Sequence, residues 1–176
     1  MVAHLRLLGL LLFLPFLELA AQHPENNTYE TPNRLFYIHR SANRNLVCYD
    51  YNLEQGKLDS QNPIQVYWVN REERPGEKNG LNYIQRKFAY GYKVISAKPD
   101  SCVCTLTAYP KRPLTLTHLP SSAKYVCLIP IQHQTAILRS LYVKAHPHNP
   151  LKVEYVELEG VALSSHKPLK ERIYRP

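Results

Sequence analysis

Residues 34–51, RLFYIHRSANRNLVCYDY, read as two strands and the turn between them. Phe36 and Ile38 fall on one face of an extended chain and Tyr37 and His39 on the other, because successive strand side chains point to opposite sides. The polar run 41–45 (SANRN) carries turn chemistry, since Ser and Asn bond neighbouring backbone and Asn tolerates left-handed geometry. Residues 46–51 return to apolar and aromatic side chains suited to a pleated surface. A β-hairpin is predicted.

The same pattern continues downstream. A second turn at 52–56 leads to a strand at 64–69 (IQVYWV), with Pro63 just ahead of it, where a missing N–H is tolerated. One helix is predicted near 80–90. Asn79 is its expected cap, Leu81, Ile84 and Phe88 its apolar face, and Arg86 and Lys87 suit its C-terminal dipole; Gly91 is expected to close it in the left-handed conformation. Further strands are read at 92–97, 103–108, 124–129, 136–144, 152–158 and 170–174, separated by Pro110, Pro113, Pro120, Pro147 and Pro150. Many short strands with one short helix predict a mainly β (α+β) fold, an antiparallel β-sandwich or barrel-like sheet. Helices do not alternate with the strands, which disfavours a parallel α/β sheet. Ile38, Val47, Val66, Trp68, Phe88, Val126 and Val153 are expected in one core.

Upstream of the hairpin the chain changes character. Residues 1–21, MVAHLRLLGLLLFLPFLELAA, place Arg6 before a short apolar run that ends in Ala20 and Ala21. That order is a cleavable secretory signal peptide, and the run is too short to span a bilayer comfortably. The expectation is an extracytoplasmic protein, periplasmic or secreted, with no transmembrane span after cleavage. Residues 22–33 read as a polar tether containing the sequon Asn26-Asn27-Thr28, and residues 34–176 as a single β-rich domain. Cleavage leaves roughly 155 residues, enough for one domain with a real core.

Thirteen Tyr against 4 Phe suggest half-buried sheet faces, because a Tyr ring packs while its hydroxyl stays wet or bonded. The net charge of +8 could favour anionic partners through its summed field. Basic residues nevertheless come singly or in pairs, and Arg71, Glu72, Glu73 and Arg74 alternate in sign; without a stripe or reader motif, nucleic acid is not an expected partner. Four cysteines in an exported chain permit disulfides. Cys102 and Cys104 share a strand face at roughly 6.5 Å, near the limit for pairing with each other. A bond from Cys48 or Cys127 to one of them, or buried thiols, are the two alternatives.

The densest polar patch offers His39, Arg40, Ser41, Asn43, Arg44 and Asn45, with Asp50 and Tyr51 one strand later. The planar forks of Arg40 and Arg44 suit a carboxylate or phosphate. With Arg86 as a third cation and Tyr51 and Tyr90 as walls, they compose a candidate site for a small anionic ligand or a cell-envelope component. The rival reading is a hydrolase in which His39 works with Ser41 or Asp50, although the G-x-S-x-G elbow is missing. No cofactor is indicated. His146-Pro147-His148 lacks a third ligand in pattern, so no metal site is expected either.

The segments FYIHRSANRNLVCYDYN, PIQVYWVNREE, LNYIQRKFAYGYKV and VEYVELEG, in that order, resemble a family of small exported bacterial proteins known only as a domain of unknown function. The resemblance spans about residues 34–160, with HRSAN (39–43) and AYG (89–91) its most specific blocks. It implies a bacterial, extracytoplasmic setting, which argues against glycosylation at Asn26, and it supplies no catalytic residue. The 68–73 segment and Gln85-Arg86 are the other polar members that the resemblance points to.

Overall fold

Strand β1 (Arg34–Arg40) pairs antiparallel with β2 (Asn43–Tyr51), placing Ile38 opposite Val47 and Tyr37 opposite Cys48, as the alternation requires. These coordinates belong to a computed structural model, which describes residues 31–119 and 123–174. The predicted signal peptide, the sequon and most of the predicted tether lie outside the described residues.

A small hairpin, β3 (Leu53–Glu54) with β4 (Lys57–Leu58), turns the chain into β5 (Ile64–Val69), which pairs with β2. Gln55 and Gly56 make that turn with positive φ, Gly56 at 80°. Next come β6 (Lys78–Gly80) and a helical stretch, α1 (Tyr83–Gln85), which widens into a π turn at Arg86–Tyr90. Antiparallel neighbours β7 (Tyr92–Lys98), β8 (Ser101–Leu106), β9 (Tyr109–His118) and β10 (Tyr125–Ile131) follow. The chain ends its described course in β11 (Gln134–His146), β12 (Asn149–Ala162) and β13 (Pro168–Tyr174).

One long strand organises the rest. Along one edge of β11, residues 134–137 pair antiparallel with β10 and residues 140–143 pair parallel with β1; its other edge carries β12 and then β13. The β1–β2–β5–β6 and β10–β9–β8–β7 arms therefore leave β11 at different heights and curl into a half-barrel. The fold is mainly β with one short helix. Its sheet is mixed, because the β1–β11 pair runs parallel where all-antiparallel pairing is predicted.

The arms enclose the main core. Inward rows Val47, Tyr49, Tyr51 of β2 and Cys102, Cys104 of β8 meet Tyr125, Cys127, Ile129 of β10. Tyr49 stacks on Phe36 with ring centroids 4.3 Å apart and donates its hydroxyl to the Tyr90 carbonyl at 2.7 Å. Tyr92 closes the other side, its hydroxyl donating to the Ile64 carbonyl at 2.9 Å. The opposite face of β2 and β5 holds a second cluster of Leu46, Cys48, Tyr67 and Val69.

Several sequence expectations change here. Ile38 and Val47 are buried, while Val66, Trp68, Val126 and Val153 are half-buried. Phe88 is 64% exposed and leaves the core altogether. The helix is capped by Asn82, not Asn79, through a reciprocal box with Gln85. Gly91 is extended (φ −68°) and not left-handed. Pro110 and Pro113 sit inside β9, not between strands, where the β8 register is irregular and a missing N–H costs no ladder bond. All four cysteines are buried free thiols. Burial pushes Cys48 up to about 11 and Cys104 up to about 12, and Cys48 lies in the other cluster from Cys102, Cys104 and Cys127. No helix among the described residues is long and apolar enough to cross a membrane.

Candidate functional site

The inward row of β2 changes chemistry along its length. Tyr51, Tyr49 and Val47 are core; two and four residues further back, Asn45 and Asn43 occupy the same face. On β5 the inward row Ile64, Val66, Trp68 continues into Asn70. Trp68 lies opposite Val47 on one side and opposite Asn79 of β6 on the other. Where the aliphatic core ends, the amides begin. They line a pocket of about 320 Å3 made by Asn43, Asn45, Trp68, Asn70, Asn79 and, from the helix, Gln85.

Four of these amides have their oxygens committed. Asn43 Oδ1 accepts from the Asn45 N–H at 3.2 Å, Asn45 Oδ1 from Arg71 N–H at 3.0 Å, and Asn70 Oδ1 from Glu72 N–H at 3.0 Å. Gln85 Oε1 accepts from Asn82 N–H at 3.0 Å. Each amide is thereby oriented, and its NH2 group remains as a donor. Trp68 Nε1 is buried and has no acceptor among the described residues. Such a group costs about 1–3 kcal/mol. No carboxylate or guanidinium lines the pocket.

The predicted anion site comes together only in part. Arg40 Nη1 donates to the Tyr90 hydroxyl at 3.0 Å, and the Tyr90 ring meets Trp68 edge-on at 5.0 Å. Arg44 is exposed and is not among the residues that line the pocket. Arg86 is exposed beside Gln85 and reaches the Leu81 carbonyl at 3.4 Å. Tyr51 packs on Tyr125 at 5.3 Å, at the far end of β2 and about 26 Å along the strand from Asn43.

The hydrolase candidates have three separate neighbourhoods. His39 packs between Tyr37 and Tyr142, with its ring centroid 5.9 and 4.8 Å from theirs, and burial lowers its pKa. Ser41 Oγ accepts from the Ala145 N–H at 2.9 Å, a long-range contact to the backbone of β11. Asp50 is buried, accepting from Arg34 Nε at 2.5 Å, Tyr67 hydroxyl at 2.6 Å and Thr31 hydroxyl at 2.8 Å. His39 pairs with Leu46, four residues and about 13 Å along β2 from Asp50. Among the described residues no group of His, Cys, Asp and Glu could hold a metal ion.

Asn43 and Asn45 stood in the polar patch singled out in the sequence, and Asn70 and Gln85 in the segments that the resemblance marked. Asn79 read as a cap and Trp68 as core. The available signal was amides recurring at every second position past the end of an inward apolar row. Residues 36–172 match the model of a family described as a domain of unknown function (DUF4833), most of the chain, and the protein belongs to that family. No curated protein and no solved structure matches it.

Proposed function

We propose that this family member is an exported binding domain that holds an uncharged, acceptor-rich ligand of the cell envelope, a saccharide, in the amide pocket around Trp68. The observation that carries the reading is the set of amides whose oxygens are fixed by backbone N–H groups, leaving NH2 donors aimed by the fold. Donors of this kind match hydroxyl, ring and acyl oxygens, and their fixed orientation reduces the ordering cost of binding. The lining has no charge to offset a ligand's charge, so a neutral ligand fits better than the small anion expected from Arg40, Arg44 and Arg86. The indole supplies an apolar surface beside the donors, and an acceptor brought near Nε1 would relieve a buried unpaired donor. The volume sits at the lower end of the usual range for ligand sites, about 300–1,000 Å3, which suits one ring.

Trp68 is the only tryptophan, so its emission reports on the pocket directly. Titration with a neutral N-acetylated hexosamine should give a saturable change, weakened at least about tenfold by Asn45→Leu or Asn70→Leu through loss of an oriented donor. Lys57→Ala, on the distant small hairpin, should bind as the parent does. A response to inorganic phosphate that requires Arg44 would sink the neutral-ligand reading and restore the anion site. An emission unchanged by either probe would count against the pocket itself.

A further inference from the structure

The helical stretch presents its apolar side to solvent. Tyr83 is 70% exposed, Ile84 68% and Phe88 64%, while Leu81 and Tyr90 on its flanks are buried and Ala89 packs on the core. Ile84 lies in the single turn that opens at the Asn82 cap, which buries none of its residues, and the π turn then shifts the register after Gln85, so Phe88 does not return to the buried side. The stretch is held firmly in this orientation by the Asn82–Gln85 box and by the Tyr49 hydroxyl on the Tyr90 carbonyl. Three large apolar side chains on a fixed, exposed turn mark an interaction surface.

Its charge identifies the partner. From Lys78 to Lys98 the chain has not one Asp or Glu, and Arg86, Lys87, Lys93 and Lys98 are all exposed; Lys78 lies over the Tyr67 ring at 5.0 Å, on the other face of the sheet. Lys87 Nζ sits 5.3 Å from the centre of the Tyr83 ring and 5.4 Å from that of Phe88, so a cation is built into the aromatic patch itself. Ile95, 59% exposed, lies on β7, the last strand of its arm. Aromatic and aliphatic side chains interleaved with Lys and Arg are the composition of a surface lying in the headgroup region of a bilayer. A second copy of the chain would set these cations against one another, whereas an anionic bilayer offsets them.

We propose that residues 81–98 form a docking surface for an anionic lipid bilayer, with Tyr83, Ile84 and Phe88 entering the interface and Arg86, Lys87, Lys93 and Lys98 meeting lipid phosphates. The inference does not depend on the pocket. The protein should co-sediment with vesicles of phosphatidylcholine and phosphatidylglycerol far better than with phosphatidylcholine alone, and added salt should weaken the binding. Ile84→Ser with Phe88→Ser should lower partitioning at least about tenfold, and Lys87→Ala or Lys98→Ala about fivefold each. Leu53→Ser, another exposed apolar residue, should leave it unchanged. All these positions are exposed, so melting should stay at the parent value; Lys98→Ala, outside the helix, keeps the test valid should the double variant unfold. Equal binding to neutral vesicles, an unaltered double variant, or self-association abolished by Phe88→Ser in the absence of lipid would each overturn the proposal.

Discussion

Asp50 shows how one side chain acquires a role from its surroundings. In sequence it is a carboxylate one strand from a histidine, and catalysis is a natural reading. In the fold it is 7% exposed and receives Arg34, Tyr67 and Thr31, a set that satisfies a buried charge and leaves it unavailable for chemistry. Burial, together with the hydrogen bond to Asp50, pushes the Tyr67 phenol up to about 12, so it stays a donor at any physiological pH. Removing the carboxylate strands the Arg34 guanidinium in a low-dielectric site. Asp50→Ala should therefore destabilise the protein by about 3–5 kcal/mol in denaturant titrations, while Tyr67→Phe, which removes the hydroxyl that donates to Asp50 and accepts from Arg34, should cost about 1–3 kcal/mol. Equal, small losses in both would show that the carboxylate is solvated. Nothing local predicts this set, because Arg34 and Tyr67 are 16 and 17 residues away and reach Asp50 only once β1, β2 and β5 are aligned.

At the scale of elements, period-two strands were legible and the helix only partly so. The hairpin and β5 follow directly from alternation. β9 was hidden because Pro110 and Pro113 read as separators, and a register irregularity that accommodates them has no sequence signature. For the helix, Leu81, Ile84 and Phe88 fit a 3.6-residue period, but Leu81 lies ahead of the Asn82 cap and the π turn breaks the period after Gln85, so of the three only Leu81 is buried. Gly91 ends the stretch by close approach. A Cβ there would lie 1.9 Å from the Arg86 carbonyl oxygen, and the Gly91 carbonyl accepts from Thr107 N–H at 2.9 Å. Gly91→Ala should lower stability by about 1–3 kcal/mol or more, since overpacked backbone must shift. Gly80→Ala, with nothing within 4 Å, should be tolerated. Thermal melts of the pair test the assignment, and a neutral Gly91→Ala would mean that the turn can unwind.

The whole molecule hangs on β11 and β12, and acid should attack it there. His39 of β1 packs against Tyr142 of β11, and burial lowers its pKa below the ordinary value of about 6.5. At the outer seam, Arg172 donates to Glu157 at 2.8 Å and Arg112 to Glu171 at 2.8 Å, and these hydrogen bonds hold both carboxylates below their ordinary 4.5. A group whose folded pKa is lowered binds fewer protons folded than unfolded between its two pKa values, so stability rises with pH across that window. All three shifts have this sign. Stability should be level above about pH 6.5, fall gently as His39 takes up a proton against its burial, and fall more steeply below 4.5 as the seam carboxylates are neutralised. His39→Phe should remove the upper step and keep the lower one. Arg112→Gln with Arg172→Gln should flatten the lower step and keep the upper. The Arg112 contact, which also reaches the Pro130 carbonyl, ties β9 and β10 to β13. Melting temperatures across pH 3–8 for the three proteins separate the steps. A single acid transition untouched by either change would place the acid-labile contacts elsewhere, because a half-barrel whose arms share one spine should lose its seams before it loses its core.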